Sequence, residues 1–278
     1  MDSLAIRKFG SALLLYSVAI LFTLIALVPL AWAFGTSLKT YGEVFARPYA
    51  FIPLELQWDN YAAIFRAVPF ARYFVNTVLV SAFACLFTLI TSAMSGYAFA
   101  RLKFPGRETI FMLYLALLII PPQVILIPNF IVMRELGLLD TLTALVLTRS
   151  FWPLGVFLLR QFFFGVPREL EEAAIMDGYG YARRFLFIIL PLAKPALVTL
   201  FILTLLLVWN DFLYPLVFIQ SDANRTLTLG LSILQGDLDV QWNLVMAAVV
   251  LAISPLVVIY LSLQRFFIEG IALSGTKG

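Results

Sequence analysis

Six long apolar stretches alternate with shorter polar segments along the chain. They lie at about residues 11–35, 73–100, 108–132, 142–165, 185–212 and 243–266. Because a helix needs roughly 20 apolar residues to cross the hydrocarbon core of a bilayer, each stretch predicts a membrane-spanning helix. We therefore expect an all-α, polytopic membrane protein whose six transmembrane helices form a single transmembrane domain over residues 1–278.

Composition supports the same class and excludes several others. The chain is 62% hydrophobic and 13% charged, with a mean hydropathy of +0.98. About a quarter of the residues in a soluble domain are charged, so this chain could not cover a water-facing surface. A net charge of +3 is modest, and we expect no nucleic-acid partner. With no histidine and Cys85 as the single cysteine, a disulfide framework and zinc, haem or iron–sulfur sites are excluded.

The distribution of basic residues predicts the orientation. Of the 19 Lys and Arg residues, twelve fall on the side that holds both termini, six fall on the opposite side, and Arg149 lies within a span. Basic residues favour the cytoplasmic side of a membrane protein. We therefore expect both termini and the segment 166–184 in the cytoplasm of a bacterial or archaeal cell, with the chain in its cytoplasmic (inner) membrane. Residues 36–72 and 213–242 would form the two longer outer segments.

The segment 166–184 predicts a short helix between two spans. Pro167 suits the first turn of a helix, and Gly178 suits a left-handed residue that ends one. Acidic side chains near a helix start complement its dipole, and three occur here, at Glu169, Glu171 and Glu172. We expect a helix over about 167–178, with one flat face that includes Ala173 and Ala174. For a generic loop, the simpler interpretation is an interfacial helix with solvated charges.

The spacing within this segment favours a more specific interpretation. It resembles the EAA motif of the permease subunits of ABC importers, in which Glu-Ala-Ala is followed at fixed spacings by Gly and by Ile-x-Leu-Pro. The matching residues are Glu172, Ala173, Ala174, Gly178, Ile188, Leu190 and Pro191. Similar pieces occur at 97–106, 136–141 and 209–212, so the resemblance covers nearly the whole chain. The most similar type is the six-span permease of the maltose importer.

The resemblance implies a translocation subunit of an ATP-driven importer for a carbohydrate, with no catalytic residue of its own. The chain has no phosphate-binding loop, so ATP and Mg would be bound by partner subunits and no cofactor by this chain. The partners would be a homologous second permease, two ATPase subunits, an extracytoplasmic substrate-binding protein and membrane lipid. The residues expected to couple to an ATPase are Glu171, Glu172, Ala173, Ala174, Asp177 and Gly178. The residues of a cytoplasmic tail that would reach the ATPases, unless the terminus is frayed, are Gly275, Lys277 and Gly278.

The substrate path is less clearly marked. Its candidate residues are Asn76, Gln123, Arg149, Trp152, Asn210, Asp211 and Tyr214. Arginine inside a membrane costs about 2.5–3.5 kcal/mol on insertion scales and often marks function. Arg149 could instead extend to the outer interface, and Asp211 could pair with it as an outer gate or a structural contact. The sequence Pro121-Pro122-Gln123 predicts a distortion of the third span, as a cavity lining or as a packing kink.

Three alternatives remain. The first is an ABC permease for another solute, such as glycerol phosphate. The second is an ion-coupled secondary transporter, which normally has inverted repeats and buried carboxylates near the midplane. No repeat is evident, and the cores of the apolar stretches contain essentially no Asp or Glu apart from Asp211 at an edge. The third is an intramembrane enzyme, but this chain has no histidine and no paired buried acids to serve as its catalytic groups.

Overall fold

The chain folds into helices and connecting loops in a computed structural model, which describes residues 2–236 and 240–275, with side-chain surroundings for 13–236 and 240–264. The α-helices of these ranges are, in chain order, α1 (Asp2–Ser37), α2 (Tyr41–Ala46), α3 (Asp59–Ala67), α4 (Phe70–Arg101), α5 (Arg107–Ala116), α6 (Pro122–Glu135), α7 (Leu142–Arg149), α8 (Pro153–Gly165), α9 (Arg168–Met176), α10 (Tyr181–Arg184), α11 (Leu190–Leu192), α12 (Lys194–Trp209), α13 (Leu213–Phe218), α14 (Leu227–Ile233) and α15 (Trp242–Gly275). No strand occurs in these ranges, which confirms the predicted all-α class.

Within the described residues, three helices are long and apolar enough to cross a membrane. They are Leu13–Ser37 of α1, the whole of α4, and Trp242–Gln264 of α15. Three helix pairs meet the same criterion together, but each is bent by more than 40° at a short break. These pairs are α5 with α6, α7 with α8, and α10–α11 with α12. Counting each bent pair as one span gives up to six, in agreement with the predicted fold.

The third span breaks at its two prolines. Ile120 is extended (ψ 120°), Pro121 follows with ψ 136°, and α6 begins at Pro122. Proline lacks an N–H and disfavours the helical conformation in the residue before it. The direction of the helix therefore changes by 103° between the two halves, and the predicted distortion at 121–123 is confirmed.

The fourth and fifth spans are also bent. The fourth span lies at the predicted residues, 142–165, but it is broken at 150–152, where Trp152 is extended before Pro153 and the two halves differ in direction by 42°. The fifth begins at Tyr181, four residues earlier than expected. It turns by 77° at Ala193, two residues after Pro191 and after a π-helical segment.

The described residues group into two compact units. The first consists of residues 1–70 and 231–254. In it, the predicted outer segment after α1 contains the short helices α2 and α3. The segment is held by polar side chains: the buried Lys39 donates through Nζ to Arg47 O (2.8 Å), and the half-buried Asn60 donates through Nδ2 to the carbonyl oxygens of Ser37 (2.8 Å) and Lys39 (2.9 Å).

The second unit consists of residues 71–230 and 255–278. One of its apolar clusters is centred on Ala84, Leu145 and Phe218. Another is centred on Leu159 and Leu200 and brings α4, α8 and α12 together. The two clusters fix the helix ends that carry the candidate sites.

Candidate functional site

The helix predicted at 167–178 is α9, and its ends are formed as expected. Pro167 precedes its first residue, and Gly178 is left-handed with φ 78°. The N–H of Tyr179 donates to Ala174 O and the N–H of Gly178 donates to Ile175 O, both at 2.9 Å. This pair of hydrogen bonds is the Schellman motif, which satisfies the last carbonyl groups of a helix.

The helix α9 has an inner and an outer face. Glu171 and Ala174 are buried, whereas the next residues along the chain from each, Glu172 and Ile175, are exposed. The outer face combines acidic and apolar groups, and the Met176 side chain on it is 88% exposed. The remaining exposed residues of the segment are Arg168, Glu169, Leu170, Ala173, Asp177 and Gly178.

Glu171 is the centre of a buried ion cluster. Its Oε1 lies 3.1 Å from Arg101 Nε, and its Oε2 lies 3.8 Å from a guanidinium nitrogen of Arg184. The hydroxyl of Tyr97 donates to the same Oε2 at 3.2 Å. Glu171 and Ala174, both expected among the residues that couple to an ATPase, are buried against other parts of this chain. The arginines of α4 and α10 surround the Glu171 carboxylate, and the coupling role of both residues stays a prediction.

Arg101 also holds the end of α8. Its Nη2 donates to the carbonyl oxygens of Phe163 and Val166. The last carbonyl groups of a helix have no partner within it, and a cation there also complements the helix dipole. One arginine thus connects α4, the end of α8 and α9.

A second polar group lies where the fourth span breaks. Arg149, the last residue of α7, donates to Asp211 Oδ2 through Nε (2.9 Å) and Nη2 (2.7 Å). Its guanidinium also lies 4.1 Å from the centre of the Tyr214 ring. The predicted pairing of Arg149 with Asp211 is confirmed, and Tyr214 belongs to the same group.

Further hydrogen bonds fix this group. The hydroxyls of Thr88 and Thr228 donate to Arg149 O (2.8 Å) and Asp211 O (2.6 Å). Asn129 Nδ2 donates to the Tyr214 hydroxyl at 3.3 Å. The cavity beside Arg149 and Asp211 has a volume of only about 10 Å³. In this conformation that cavity is large enough for about one water molecule and far too small for a sugar.

The other predicted path residues lie apart from this group. Asn76 Nδ2 donates to the carbonyl oxygens of Ala223 (2.9 Å) and Arg225 (2.8 Å), so it holds the loop after α13. Asn210 Nδ2 donates to a carbonyl within its own helix. Gln123 is exposed at the start of α6, and Trp152 is half-buried before α8.

The loop after α13 has an anchor that the sequence reasoning missed. Asp140 Oδ1 accepts from Gln220 N (3.0 Å), Ser221 N (2.9 Å) and Ser221 Oγ (2.9 Å). These hydrogen bonds, led by that from the Ser221 backbone, hold the pKa of the Asp140 carboxyl below its usual value. Asp140 is left-handed, with φ 56°. A sequence signal was present, because Asp after Gly-Leu-Leu and before Thr suits such a turn.

Of the predicted tail contacts, Lys277 and Gly278 lie outside the described residues. Gly275 is the last residue of α15, and its surroundings also lie outside the described part.

The amino-acid sequence is similar to those of known transport proteins. Residues 88–272 match the family described as the binding-protein-dependent transport system inner membrane component. An arabinooligosaccharides transport system permease protein of Halalkalibacterium halodurans is 38% identical over 229 residues, 82% of each chain. An sn-glycerol-3-phosphate transport system permease protein of Yersinia pestis is 36% identical over 275 residues, 95% of this chain and 97% of that protein.

A solved structure extends the likeness to the fold. The crystal structure of a bacterial ABC transporter involved in the import of the acidic polysaccharide alginate has a chain that superposes with a TM-score of 0.82. The two chains are 25% identical, and the match covers 94% of this chain and 97% of that one. The protein therefore belongs to the family of binding-protein-dependent inner membrane components, the permease subunits of ABC importers.

Proposed function

We propose that this chain carries a carbohydrate or carbohydrate derivative into the cytoplasm and is powered by ATPase subunits that bind α9. The observation that carries the proposal is the division of α9 into two faces. Glu171 fixes the inner face to the membrane helices, while Glu172 and Ala173 stay exposed on the outer face. A short helix anchored on one side and open on the other is suited to transmit movement from a second subunit.

The proposed assembly follows from the family. It contains this chain, a homologous second permease, two ATPase subunits that bind ATP and Mg, and an extracytoplasmic substrate-binding protein. Both termini and α9 would face the cytoplasm, and the predicted outer segments would face the binding protein. The acidic outer face of α9 would meet a basic surface of the ATPase, with Ala173 allowing close approach.

Carbohydrate is the favoured substrate class for two reasons. The Halalkalibacterium halodurans relative is an arabinooligosaccharide permease. In addition, Arg149, the guanidinium that the sequence places within a span, is already neutralised by Asp211 and is not available to a phosphate. Glycerol phosphate is the second candidate, since the Yersinia pestis relative matches almost end to end.

The test is ATP-dependent uptake by the complete complex reconstituted in liposomes. We expect uptake of a labelled arabinooligosaccharide or related sugar, and Glu172→Lys should abolish uptake while the chain remains membrane-inserted. Glu135→Lys is the matched control, because this substitution makes the same charge change at an exposed helix end on the predicted outer side. Normal uptake by the Glu172→Lys complex would contradict the coupling role. Uptake of glycerol 3-phosphate alone would select the second candidate.

A further inference from the structure

The buried carboxylate of Glu171 is bound by groups from two separate helices. Arg101 and Tyr97 come from the end of α4, and Arg184 comes from α10. The side chains of Glu171, Arg101 and Arg184 are only 11%, 7% and 9% exposed. Water screens such contacts weakly, so they are stronger and more sensitive to geometry than contacts at a surface.

Arg101 extends this cluster to a third membrane helix. Besides Glu171, its guanidinium binds the carbonyl oxygens of Phe163 and Val166 at the end of α8. The cluster holds two guanidinium groups and one carboxylate, and the excess positive charge lies against the negative end of the α8 dipole. A displacement of Glu171 would therefore change the forces on α4 and on α8 together.

The hydrogen bonding of the cluster is incomplete. Arg101 Nε, Glu171 Oε1 and Arg184 Nε are buried and lack an aligned hydrogen bond, although the first two lie within ion-pair distance of each other. The Arg101 guanidinium is shared between Glu171 and the carbonyl oxygens at the end of α8, so a movement of α9 would change both sets of contacts.

We infer that Glu171 is a positioning residue that transmits the movement of α9 to α4 and α8, whereas its neighbour Glu172 serves the ATPase. This inference rests on the proposed function, since it needs a motor that moves α9. It divides the two adjacent glutamates by role: one is exposed for docking, and the other is buried for transmission.

The experiment compares Glu171→Gln with Glu171→Asp and Glu172→Lys in the reconstituted complex. The quantity measured is solute taken up per ATP hydrolysed, together with the amount of assembled complex. Coupling free energies between sites typically correspond to about 5–150-fold. We expect Glu171→Gln to lower uptake per ATP at least about tenfold while ATP hydrolysis continues. Glu171→Asp, which keeps the charge, should recover most of the ratio.

The outcomes separate this inference from the proposed function. If Glu172→Lys abolishes uptake but Glu171→Gln keeps the wild-type ratio, the inference is wrong and the proposed function stands. If uptake and hydrolysis fall in parallel with the assembled complex, Glu171 is only structural. If wild-type complex shows no ATP-dependent uptake, the proposed function itself fails.

A second variant decides the matter if Glu171→Gln does not assemble. Tyr97→Phe removes one hydrogen bond to the same carboxylate and leaves every charge in place. We expect it to assemble and to lower uptake per ATP in the same direction by a smaller factor. A wild-type ratio in this variant would overturn the inference.

Discussion

Arg149 and Asp211 form a two-pronged contact in which Nε and Nη2 of the guanidinium meet one carboxylate oxygen, at 2.9 and 2.7 Å. The pair joins the end of α7, where the fourth span breaks, to the residues that follow α12. Their side chains are only 16% and 9% exposed. The contact therefore forms a polar junction between the broken fourth span and the end of α12.

Breaking this pair should destabilise the chain more than removing it altogether. Arg149→Met alone leaves the Asp211 carboxylate buried without its guanidinium partner. Asp211→Leu alone leaves the Arg149 guanidinium buried without its carboxylate. Each should lower the free energy of unfolding by about 3–5 kcal/mol, and the double variant should recover much of that loss. The measurement is denaturant unfolding of the full chain in detergent micelles, analysed as a double-mutant cycle.

An exposed ion pair provides the control for this cycle. Arg66 and Asp59 are 66% and 73% exposed although their atoms approach to 2.7 Å. Arg66→Met should cost less than about 1 kcal/mol. Additive effects of the Arg149 and Asp211 substitutions would show that the pair is not energetically coupled.

The anchor at Asp140 predicts a dependence on pH. Its pKa in the folded chain is lowered, chiefly by the hydrogen bond from the Ser221 backbone. A group with a lowered folded pKa stabilises the fold above its unfolded pKa, about 3.9, and loses that contribution as the pH falls through the folded value. Asp140→Asn, which tolerates the left-handed backbone, should therefore have a lower unfolding temperature than wild type at pH 7. The difference should shrink below about pH 4, and a constant difference from pH 7 to pH 3 would contradict the assignment.

Much of the fold follows from local sequence. The apolar stretches locate the spans because crossing a bilayer requires about 20 apolar residues, whatever the packing. The end of α9 was equally predictable, since glycine alone adopts a left-handed backbone without strain, and Gly178 does so. The pairing of Arg149 with Asp211 could be anticipated because a buried charge needs a partner.

Other features depend on what distant segments bring to a site. Charge and helix propensity do not distinguish Glu171 from Glu172, and their difference in burial arises because α4 and α10 place Arg101 and Arg184 beside only the first. The break in the fourth span was missed because hydropathy reports how apolar a segment is and contains no information on its direction. Pro153 was the available signal, since the residue before a proline tends to be extended.

The left-handed residue that ends α9 can be tested by alanine. Gly178 has φ 78°, and a Cβ there would meet no atom within 4 Å, so any cost is conformational. Gly178→Ala should lower the free energy of unfolding by about 1–2 kcal/mol. Gly180→Ala is the control, because Gly180 has φ −72° and equally open surroundings. Equal effects of the two substitutions in the unfolding assay would contradict the role of the Schellman motif.

Close packing of α8 against α4 and α12 can be tested at Gly155. A Cβ at this position would lie 2.6 Å from Ser92 Oγ and 3.0 Å from Leu200 Cδ1, and both neighbours lie in a packed core. Because extra atoms in a filled interior force neighbouring side chains from their preferred conformations, Gly155→Ala should lower the free energy of unfolding by about 1–3 kcal/mol.

Gly165 lies in the same helix with no atom within 4 Å of its Cβ position. Gly165→Ala should stabilise the chain by up to about 1 kcal/mol through helix propensity alone. Opposite signs for the two substitutions in the same unfolding assay would show that contact at Gly155, and not helix propensity, sets the spacing of these helices. A gain in stability from Gly155→Ala would mean that the helices separate without cost.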